Sequence, residues 1–588
     1  MSLSTLENLK AKLPSASVPK AVDAENVCAG FCKALSSLNV DNFTPDAIWR
    51  DMFALTGSSR TFYGPDNIIQ TWQSLIQAAP LENITYQKQS AHKVDLGETN
   101  WIEGGFTFEI DEAPARTCTA VLSIVPADDG TWKIWMFRSF LDKLRSHPSA
   151  DEMAPVRQMN GGSKYVELEE GSEDTFECVV VGGGQAGLSV AGRLQSQGVD
   201  YVLLEKNEAI GDNWKQRYRS TKLHTNRESS HLPFNRTFPS HYPQYLGKND
   251  LARGYSDWAH AYGINVWLST TLVSGQWHND SGQWTLVVSR NGETRNITTT
   301  HVVLAIGAGC QIPIMPAYPG VETFEGEIQH SADYYSADKW KGKHGVVVGT
   351  ANTAHDVAED MVAAGMVSVS MIQRSPTYVL PAEYYEKVQE LSWNAGFPTE
   401  IADQEMLTVP LAVLRLISML VLHGMARAEP ERFDALEKAG FKTVRYGDII
   451  YQVFDRFGGH YMDVGASAKI ANGLIKVKSD ALPVRYTPDG LAFSDGSELK
   501  ADAIVFATGF IGTMKDTIRQ LFGSNVADRV DDFWGVDEEG EVKGAFKPCG
   551  HPNLWMHGGT TTHARYMSRY VALQIRAALD GTPLPILS

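Results

Sequence analysis

The stretch 175–206 constrains the fold more than any other part of the sequence. An apolar, β-branched run at 178–181 leads into a turn with three glycines. A helix-like segment follows, and then a second apolar run at 201–204 that ends in an acid. This order is typical of a strand, turn, helix, strand unit. The sequence therefore predicts a dinucleotide-binding unit, with a tight structural turn as the alternative.

The residue types in this turn have physical reasons. Gly182 permits the tight turn from strand to helix, Gly184 lets the backbone approach a pyrophosphate, and Gly187 lets the helix lie close to the strand. The amides at the N-terminus of the helix are free to bind phosphates. Glu205 follows Gly187 by eighteen residues. An acid at this position can accept hydrogen bonds from a ribose hydroxyl pair.

Length, charge and cysteine spacing limit the other classes. A chain of 588 residues is too long for one core and suggests about three or four domains. The formal net charge of −17 argues against nucleic acid or an anionic membrane surface as a partner. Six cysteines occur without any Cys-x-x-Cys pair, so the sequence supports neither a redox disulfide nor a zinc ribbon. No metal site is predicted.

One segment, 407–426, has the hydropathy of a membrane helix. Pro410, Arg415 and His423 interrupt it, and a charge in mid-span is costly in lipid. We therefore predict a buried or tunnel-covering helix and no integral membrane span, with peripheral membrane contact as the alternative. The N-terminal residues lack an apolar core of signal-peptide length, so a cytoplasmic location is expected.

The N-terminal quarter has the pattern of a separate unit. Residues 1–24 are polar and predict a flexible arm. In 25–145, helical stretches come first and alternating, strand-like segments follow, which is typical of an α+β domain. Residues 146–174 are rich in Ser, Gly, Glu and Pro and predict a linker.

Two short motifs carry a resemblance for this α+β domain. They are FYGPDNII at 62–69, before a helix, and the closing WKI at 132–134. With them the domain resembles the nuclear transport factor 2-like superfamily, whose cone-shaped fold serves as a catalytic pocket or as an assembly surface. Asp51 is the candidate pocket base, with a solvated or structural Asp as the alternative. We expect a docking or dimerisation element, and a homodimer.

A second strand-turn-helix pattern begins near 344. Gly349 opens its turn, but Ala351 stands where a second glycine is usual, which fits a phosphate that lies slightly farther away. Arg374 follows the next strand, and its planar guanidinium is suited to a 2′-phosphate. A surface salt bridge is the alternative role for Arg374.

Two more strands end in small-residue turns, at 305–307 (Ala-Ile-Gly) and 507–509 (Ala-Thr-Gly). Small residues let the backbone approach a bound cofactor. Two dinucleotide turns, together with these two endings, suggest one cofactor that stays bound and another that comes and goes.

In this order the motifs resemble the flavin-containing monooxygenase family, within the class B flavoprotein monooxygenases, over about residues 176–588. The resemblance implies an α/β fold with two nested Rossmann-like domains. The FAD-binding domain would comprise 175–335 and 505–588, and the NADPH-binding domain 336–504 with a helical insertion at about 383–470. The cone-shaped α+β domain would precede both.

The resemblance also implies which residues hold the two cofactors. For FAD they are Gly182, Gly184, Gln185, Ala186, Gly187, Glu205, Lys206, Asn213, Trp214 and His224. For NADPH they are Gly349, Asn352, Thr353 and Arg374. Thr508 and Gly509 lie in the family's second linker motif and complete the cofactor-binding set.

Two residues are implied to be catalytic. Asn226, in LHTNRE, matches the family's active-site Asn, which supports the oxygenated flavin and the nicotinamide; a turn-forming Asn is the alternative. His330 belongs to the fingerprint FxGxxxHxxx(Y/F), at the hinge between the nucleotide domains. Baeyer–Villiger relatives end this fingerprint with Trp followed by Pro or Asp. Tyr334-Tyr335 at this place therefore favours heteroatom oxygenation.

The implied function is an FAD- and NADPH-dependent monooxygenase. It would form a C4a-(hydro)peroxyflavin from dioxygen and insert one oxygen atom into a small, fairly apolar substrate at nitrogen or sulfur. Baeyer–Villiger or decarboxylative oxygenation of a ketone or α-keto acid is the first alternative. A flavin-bearing binding or assembly protein is the alternative of another class, and Ala351 is the feature that favours it.

Overall fold

The computed structural model describes residues 5–32, 34–156 and 174–587. The chain forms an N-terminal α+β unit and two α/β units, the second inserted into the first. Of the predicted linker 146–174, residues 157–173 lie outside the described residues. Ala150, earlier in that stretch, is buried and accepts a hydrogen bond from Arg193 (Nη1 to O, 2.7 Å).

The N-terminal unit is a curved sheet with one long helix against it. Its elements are α1 (Thr5–Asn8), α2 (Ala24–Phe31), β1 (Phe43–Met52), β2 (Ser59–Tyr63), α3 (Pro65–Ala78), β3 (Glu82–Tyr86), β4 (His92–Asp95), β5 (Asn100–Ile110), β6 (Arg116–Pro126) and β7 (Trp132–Leu144). The strand order is β2-β1-β7-β6-β5-β3, with β4 also paired to β5. Only β1 and β7 run parallel among these pairs in the described residues.

Aromatic rings fill the interior of this unit. The Trp49 ring stacks on Phe62 and Phe137 with centroids 4.9 and 5.6 Å away, and Trp72 of α3 meets it edge-on at 5.3 Å. α3 begins with Pro65, whose fixed φ suits a first helical residue. Because these rings occupy the space above the sheet, burial of aromatic surface holds α3 in place.

Residues 5–24, predicted as a flexible arm, are packed against the N-terminal unit. Leu6 and Val18 are buried. The Val18 amide donates to Asn100 Oδ1 (2.6 Å), and Thr99 Oγ1 donates to the Pro14 carbonyl (2.7 Å). The few apolar residues of this polar stretch are enough to fix it because polar groups of β5 and its preceding turn bind its backbone.

The first α/β unit opens with the glycine-turn stretch. Its elements before the insertion are β8 (Asp174–Val181), α4 (Gln185–Ser196), β9 (Tyr201–Leu204), α5 (Asp212–Lys215), α6 (Lys248–Tyr262), β10 (Val266–Trp267), β11 (Thr270–His278), β12 (Gln283–Arg290) and β13 (Glu293–Leu304). The sheet order is β10-β9-β8-β13-β12-β11. β8, β9, β10 and β13 run parallel, so their carboxyl ends meet at one edge.

The second α/β unit follows. Its elements are β14 (Ile312–Pro313), β15 (Glu327–His330), β16 (His344–Val348), α7 (Asn352–Ala363), β17 (Ser368–Ile372), β18 (Thr377–Pro381), α8 (Ala382–Gln389), α9 (Thr399–Leu407), α10 (Leu411–Ala428), α11 (Pro430–Lys438), β19 (Thr443–Val444), β20 (Tyr461–Asp463), α12 (Ala466–Ala471), β21 (Ile475–Lys478), β22 (Pro483–Thr487), β23 (Gly490–Phe493), β24 (Glu498–Lys500), β25 (Ala503–Phe506) and β26 (Phe510–Ile511). Its parallel sheet has the order β15-β25-β16-β17-β21.

The chain then returns to the first unit through α13 (Met514–Phe522), α14 (Ser524–Ala527), β27 (Leu554–Met556) and α15 (Thr561–Leu579). β27 pairs in parallel with β13, and α15 packs on α4. The two crossings between the units lie side by side, because β14 and β26 pair antiparallel.

The boundary between the α/β units differs from the predicted one at two places. Residues 327–335, assigned above to the FAD-binding domain, belong to the second unit because β15 pairs with β25. β25 itself, at 503–506, completes the second sheet, so the return to the first unit begins later than 505. A linker motif read from sequence does not tell which sheet its strand joins, since both sheets contain parallel strands.

The insertion at about 383–470 is mainly helical, as expected, but it also contains β19 and β20, which pair on either side of β18. Among the described residues, α10 is the one helix long and apolar enough to cross a membrane, and 28% of its 18 residues are buried. Arg415 in α10 pairs with Asp448, and His423 Nε2 lies 2.9 Å from the Gly447 carbonyl oxygen. Protein groups thus satisfy both of the polar residues that interrupt the apolar segment.

Candidate active site

The first glycine turn closes tightly on the end of β13. Gly182 has a φ of +107°, and a Cβ there would lie 2.6 Å from the Ala305 carbonyl oxygen. A Cβ at Gly187 would lie only 1.7 Å from the Gly182 carbonyl oxygen. The fold itself therefore requires glycine at both positions, before any ligand is considered.

Gly184 differs from these two glycines because its surroundings are open. Its φ is −81°, and the nearest protein atom to an added Cβ is Asn213 Nδ2 at 3.4 Å. Gly184 is the N-cap of α4, which has no side-chain cap and no acid in its first turn, where Gln185 and Ala186 stand. The free amides and the empty space suit an anionic group such as a pyrophosphate.

Glu205 is buried at the carboxyl end of β9. Its Oε2 accepts a hydrogen bond from the Gly183 amide (2.8 Å), and its Oε1 accepts from the Asn207 amide (2.8 Å) and Nδ2 (2.7 Å). These donors fix the carboxylate beside the turn and leave it able to accept further hydrogen bonds from ribose hydroxyls. Lys206, next along the chain, is exposed.

α5 brings Asn213 and Trp214 to the same turn. Asn213 is exposed and faces Gly184, while Trp214 is buried and its ring lies under the guanidinium of Arg217, 4.5 Å from the centroid. Asn213 therefore lies on the open side of the turn.

The second glycine turn repeats the geometry of the first. Gly349 has a φ of +127°, and a Cβ there would lie 2.4 Å from the Ala507 carbonyl oxygen. α7 begins at Asn352 with Ala351 as its N-cap, again without a side-chain cap or an acid in the first turn. Thr353 lies in that turn and is partly exposed. An alanine in place of the second glycine thus leaves the amides of α7 free for a phosphate.

The remaining predicted NADPH residues lie around this turn. Asn352 Oδ1 accepts a hydrogen bond from the Met462 amide (2.8 Å), so this side chain ties α7 to β20. Arg374 is exposed beyond the end of β17, and no carboxylate of the described ranges forms an ion pair with it. Burial raises the pKa of Tyr318, and the positive charge of Arg374 partly opposes this rise.

Thr508 and Gly509 lie at the crossing between the units. Thr508 Oγ1 donates to the Ile314 carbonyl (2.5 Å), and the Ile314 amide donates to the Gly509 carbonyl (3.0 Å). These bonds extend the β14–β26 pair. Thr508 therefore joins the two crossings to each other, and Ala507 beside it closes the second glycine turn.

Asn226 is buried between the first unit and the insertion. Its Oδ1 accepts from the Ser229 amide (2.9 Å), which makes it the cap of a short 3₁₀ turn, while its Nδ2 has no partner. The turn-forming role and a free amide donor therefore occur together in one side chain.

His224 contacts the second α/β unit. Its Nε2 is 3.4 Å from Asp356 Oδ1 on α7, and Tyr218 OH donates to the other oxygen of Asp356 (2.6 Å). The structure thus places this predicted FAD residue at the contact between the two α/β units, because the chain after α5 turns toward α7.

His330 and Tyr334 lie at the hinge, at the end of β15 and just after it. The His330 ring meets Phe510 of β26 edge-on at 5.1 Å, and burial lowers its pKa. Tyr334 is buried and its hydroxyl donates to Asp360 of α7. His330 thus connects β15 to the crossing strand β26, and Tyr334 connects the following segment to α7. Both contacts position these segments.

Four of the predicted site residues carry a buried nitrogen that has no hydrogen-bond partner in the described structure. They are Trp214 Nε1, His224 Nε2, Asn226 Nδ2 and His330 Nε2, and His224 Nε2 has only the 3.4 Å contact with Asp356. Buried polar atoms are nearly always paired in proteins. Together with the two uncapped helix N-termini, these atoms fit an FAD at the first turn and an NADPH at the second.

A comparison with protein families agrees with this site. The family model described as flavin-binding monooxygenase-like matches residues 176–516, more than half of the chain. The chain belongs to this family. It is a flavin-dependent monooxygenase, and the cofactors of such enzymes are FAD and NADPH.

Curated members of the flavin monooxygenases include plant relatives. A probable indole-3-pyruvate monooxygenase (YUCCA9) of Arabidopsis thaliana is 27% identical over 387 residues, 64% of this chain and 81% of the relative. An indole-3-pyruvate monooxygenase (YUCCA8) of Oryza sativa subsp. indica is 26% identical over 371 residues, 60% of this chain and 81% of the relative.

Solved structures of flavin monooxygenases share the fold. Cyclohexanone-bound cyclohexanone monooxygenase has a TM-score of 0.50 at 16% identity, covering 69% of this chain and 88% of its own. A mutant of the Rhodococcus sp. Phi1 enzyme bound to NADP⁺ also has a TM-score of 0.50, at 17% identity, covering 69% of this chain and 86% of its own. The likeness shows the predicted α/β architecture with Rossmann-like units and no more.

Sequence reasoning missed two parts of this flavin monooxygenase site. One is Gly183, whose amide fixes Glu205. The other is the turn before α15: the His557 amide donates to the Leu304 carbonyl (2.9 Å), and a Cβ added to Gly558 would lie 3.8 Å from the Gly307 carbonyl oxygen. The Gly-Gly pair before an amphipathic helix was the available signal, but the sequence does not show that it meets the turn after β13.

Proposed function

We propose that this monooxygenase inserts one oxygen atom of dioxygen into a small, fairly apolar organic substrate at a nitrogen or sulfur atom. The repeated geometry of Gly182 against Ala305 and Gly349 against Ala507 carries the two-cofactor part of the proposal. Tyr334-Tyr335 at the end of the hinge fingerprint supports heteroatom chemistry.

In this proposal the chain's residues bind and orient rather than react. When bound, FAD supplies the oxygen-activating chemistry and NADPH the hydride. The turns at 182–187 and 349–353 hold the two pyrophosphates, and Arg374 selects NADPH through its 2′-phosphate. Asn226 offers the free Nδ2 as a hydrogen-bond donor between the units. The buried surroundings of this side chain exclude water from the reacting groups.

Product analysis tests the proposal. The FAD-loaded protein is given NADPH, ¹⁸O₂ and, one at a time, a tertiary amine, a thioether, a cyclic ketone and an aromatic α-keto acid. We expect one ¹⁸O atom in an N-oxide or sulfoxide. An ester from the ketone, or a carboxylic acid one carbon shorter from the keto acid, would transfer the proposal to carbonyl chemistry.

Carbonyl chemistry is the second candidate because of the relatives. The plant relatives at 26–27% identity are named as acting on indole-3-pyruvate, an α-keto acid. If NADPH is consumed with none of the four substrates, and FAD still binds, the flavin-bearing binding protein becomes the better reading.

The N-terminal unit is proposed to be a nuclear transport factor 2-like assembly element without catalysis. Asp51 supports this part, because it is fully buried and its carboxylate accepts four hydrogen bonds, from Ser139 Oγ and from groups of Leu55 and Thr56. A cytoplasmic homodimer remains part of the proposal. Light scattering of the eluting protein and fractionation of the source cells would test it.

A further inference from the structure

The N-terminal unit is joined to the flavin-binding unit through a buried ion pair. Arg50 on β1 donates to both oxygens of Glu541, from Nε to Oε1 and from Nη2 to Oε2, each at 2.7 Å. Ser59 Oγ (2.5 Å) and Thr61 Oγ1 (2.7 Å) donate to the same carboxylate. Every oxygen of this buried carboxylate is therefore satisfied, and all four donors come from the N-terminal unit.

The same arginine also holds the helical insertion. Arg50 Nη1 donates to the carbonyl of Leu407 (2.8 Å), the last residue of α9, and to that of Val409 (3.0 Å), in the connection between α9 and α10. Arg138 adds bonds to the Glu405 carbonyl (3.1 Å) and Thr408 Oγ1 (3.2 Å). One side chain thus fixes the positions of three parts of the chain relative to each other.

These three parts enclose an apolar cavity of about 40 Å³. The N-terminal unit contributes Arg50, Phe53 and Ser59 to its wall. The insertion and the first α/β unit contribute mainly apolar side chains, among them Met406, Leu411, Phe454, Phe546, His563 and Met567. This volume is smaller than that of a cavity that admits benzene, about 150 Å³, so the wall must widen to admit a substrate. Methionines are adaptable side chains and allow the wall to widen.

The cavity lies next to the proposed flavin site. His563, which lines the cavity, is in the first turn of α15. The chain just before that turn meets the end of β13, because the His557 amide donates to the Leu304 carbonyl (2.9 Å) and a Cβ at Gly558 would lie 3.8 Å from the Gly307 carbonyl oxygen. The cavity therefore lies between the N-terminal unit's sheet and α15, near the carboxyl end of β13 where the first glycine turn closes on Ala305.

Phe53 gives a second, independent indication. Its φ is +65°, a conformation that is a true outlier for a bulky residue. Its ring stacks on Tyr570 of α15 with centroids 4.7 Å apart. Backbone strain of this kind persists only where the surroundings hold it, and it clusters at functional sites.

We propose that the N-terminal unit forms one wall of the substrate pocket, with Phe53 as a specificity-determining residue and Arg50 as the positioning residue that holds the α9–α10 connection around it. The pocket takes a small apolar molecule, because its wall is apolar and the charge of Arg50 is neutralised by Glu541. This inference rests on the proposed function for its link to oxygenation. Its test also measures substrate binding without turnover, which does not depend on that function.

The experiment compares three variants of the full FAD-loaded chain. Arg50→Lys keeps the charge but loses the paired bonds to Glu541 and the two carbonyl bonds. Arg60→Met is the matched control, because Arg60 on β2 makes the same two-bond contact with Glu539 (2.7 and 2.8 Å) at the same interface but does not line the cavity. Phe53→Leu enlarges the pocket without touching the ion pair.

The probes are methyl phenyl sulfide and the larger benzyl phenyl sulfide. Binding is measured from the change they cause in the flavin absorption spectrum, without NADPH. We expect Arg50→Lys to raise the dissociation constant of methyl phenyl sulfide about tenfold, as small misplacements do, with FAD content unchanged. Phe53→Leu should improve binding of the larger sulfide relative to the smaller one. Arg60→Met should change neither.

Equal binding by Arg50→Lys and Arg60→Met, or an unchanged size preference in Phe53→Leu, overturns the inference. If Arg50→Lys does not fold, the size preference of Phe53→Leu decides alone. A failure of the proposed function looks different: the wild-type protein would bind both sulfides with the expected ranking of variants but form no sulfoxide when NADPH is added.

Discussion

Alanine substitution can distinguish the glycine that the fold of the first turn requires, Gly187, from the glycine that leaves room for the ligand, Gly184. Gly187→Ala puts a methyl group 1.7 Å from the Gly182 carbonyl oxygen, so α4 must move away from β8 by about 1.5–2 Å to reach an ordinary contact. Gly184→Ala meets only Asn213 Nδ2 at 3.4 Å. The first change strains the empty protein, whereas the second should act only through the ligand.

The magnitudes follow from these contacts. Overpacking of a rigid site costs up to about 3 kcal/mol, and alanine regains up to about 1 kcal/mol over glycine inside a helix. Gly187→Ala should therefore destabilise by about 2 kcal/mol, a fall in Tm of about 4–8 °C for the unit. Gly184→Ala should change the Tm of the FAD-free protein by less than about 2 °C. Its methyl should weaken FAD binding about 10- to 100-fold.

The assay is differential scanning calorimetry of the FAD-free protein with a fluorescence titration of FAD. Gly30→Ala is the control, because no atom lies within 4 Å of a Cβ at that position in the N-terminal unit. If Gly184→Ala lowers the Tm of the FAD-free protein as much as Gly187→Ala, or if it binds FAD like the wild type, the reasoning is refuted.

Three further outcomes are expected. Asp51→Asn presents an amide to Ser139 Oγ, which already accepts a hydrogen bond from Trp49 Nε1. The free energy of unfolding, measured by denaturant titration, should therefore fall by about 1–3 kcal/mol, while kcat stays unchanged. Arg374→Ala should raise the KM for NADPH about 10- to 100-fold and leave that for NADH unchanged, since a charge-assisted contact is worth about 1.5–3 kcal/mol; equal changes would contradict the role. Burial lowers the pKa of His301 to about 4. The folded state resists protonation of His301, so the unfolding free energy falls as pH falls from 6.5 toward 4. In urea titrations across this window His301→Gln should reduce the pH dependence without abolishing it, because burial also lowers the pKa of His355, His460 and His563 to about 4.

The local units were predictable from sequence because their signals are local. Residues 175–206 contain the hydrophobic patterns of β8 and α4, the glycines between them and the acid after β9. The structure has each of these elements at its predicted place. The same holds for β16 and α7. Gly183 escaped because its role depends on Glu205 across the turn, a contact that the spacing alone does not reveal.

Contacts between distant segments were not predictable. His224 lies 132 residues before Asp356, the carboxylate that it approaches. Arg50 and Glu541 are 491 residues apart, and nothing near either one indicates a buried pair. The N-terminal arm shows the same limit, since its fixed position depends on Asn100. In each case the sequence contains the two groups but no periodicity that joins them.

The nesting of the two α/β units constrains how they can move. The second unit leaves and rejoins the first through crossings that pair as β14 and β26, tied further by Thr508 to the Ile314 carbonyl. Because both crossings lie at one place, a rotation of the second unit about this pair costs the fewest contacts there. Tyr218 of the first unit opposes such a rotation, because its hydroxyl donates to Asp356 of α7 (2.6 Å). Tyr218→Phe removes this bond between the units. We expect rotation about the crossings to bring the nicotinamide to the flavin. This variant should then alter the rate of flavin reduction by NADPH, measured by stopped-flow absorbance, while the dissociation constant of FAD stays the same. An unchanged reduction rate would mean that the two units stay fixed during the hydride step.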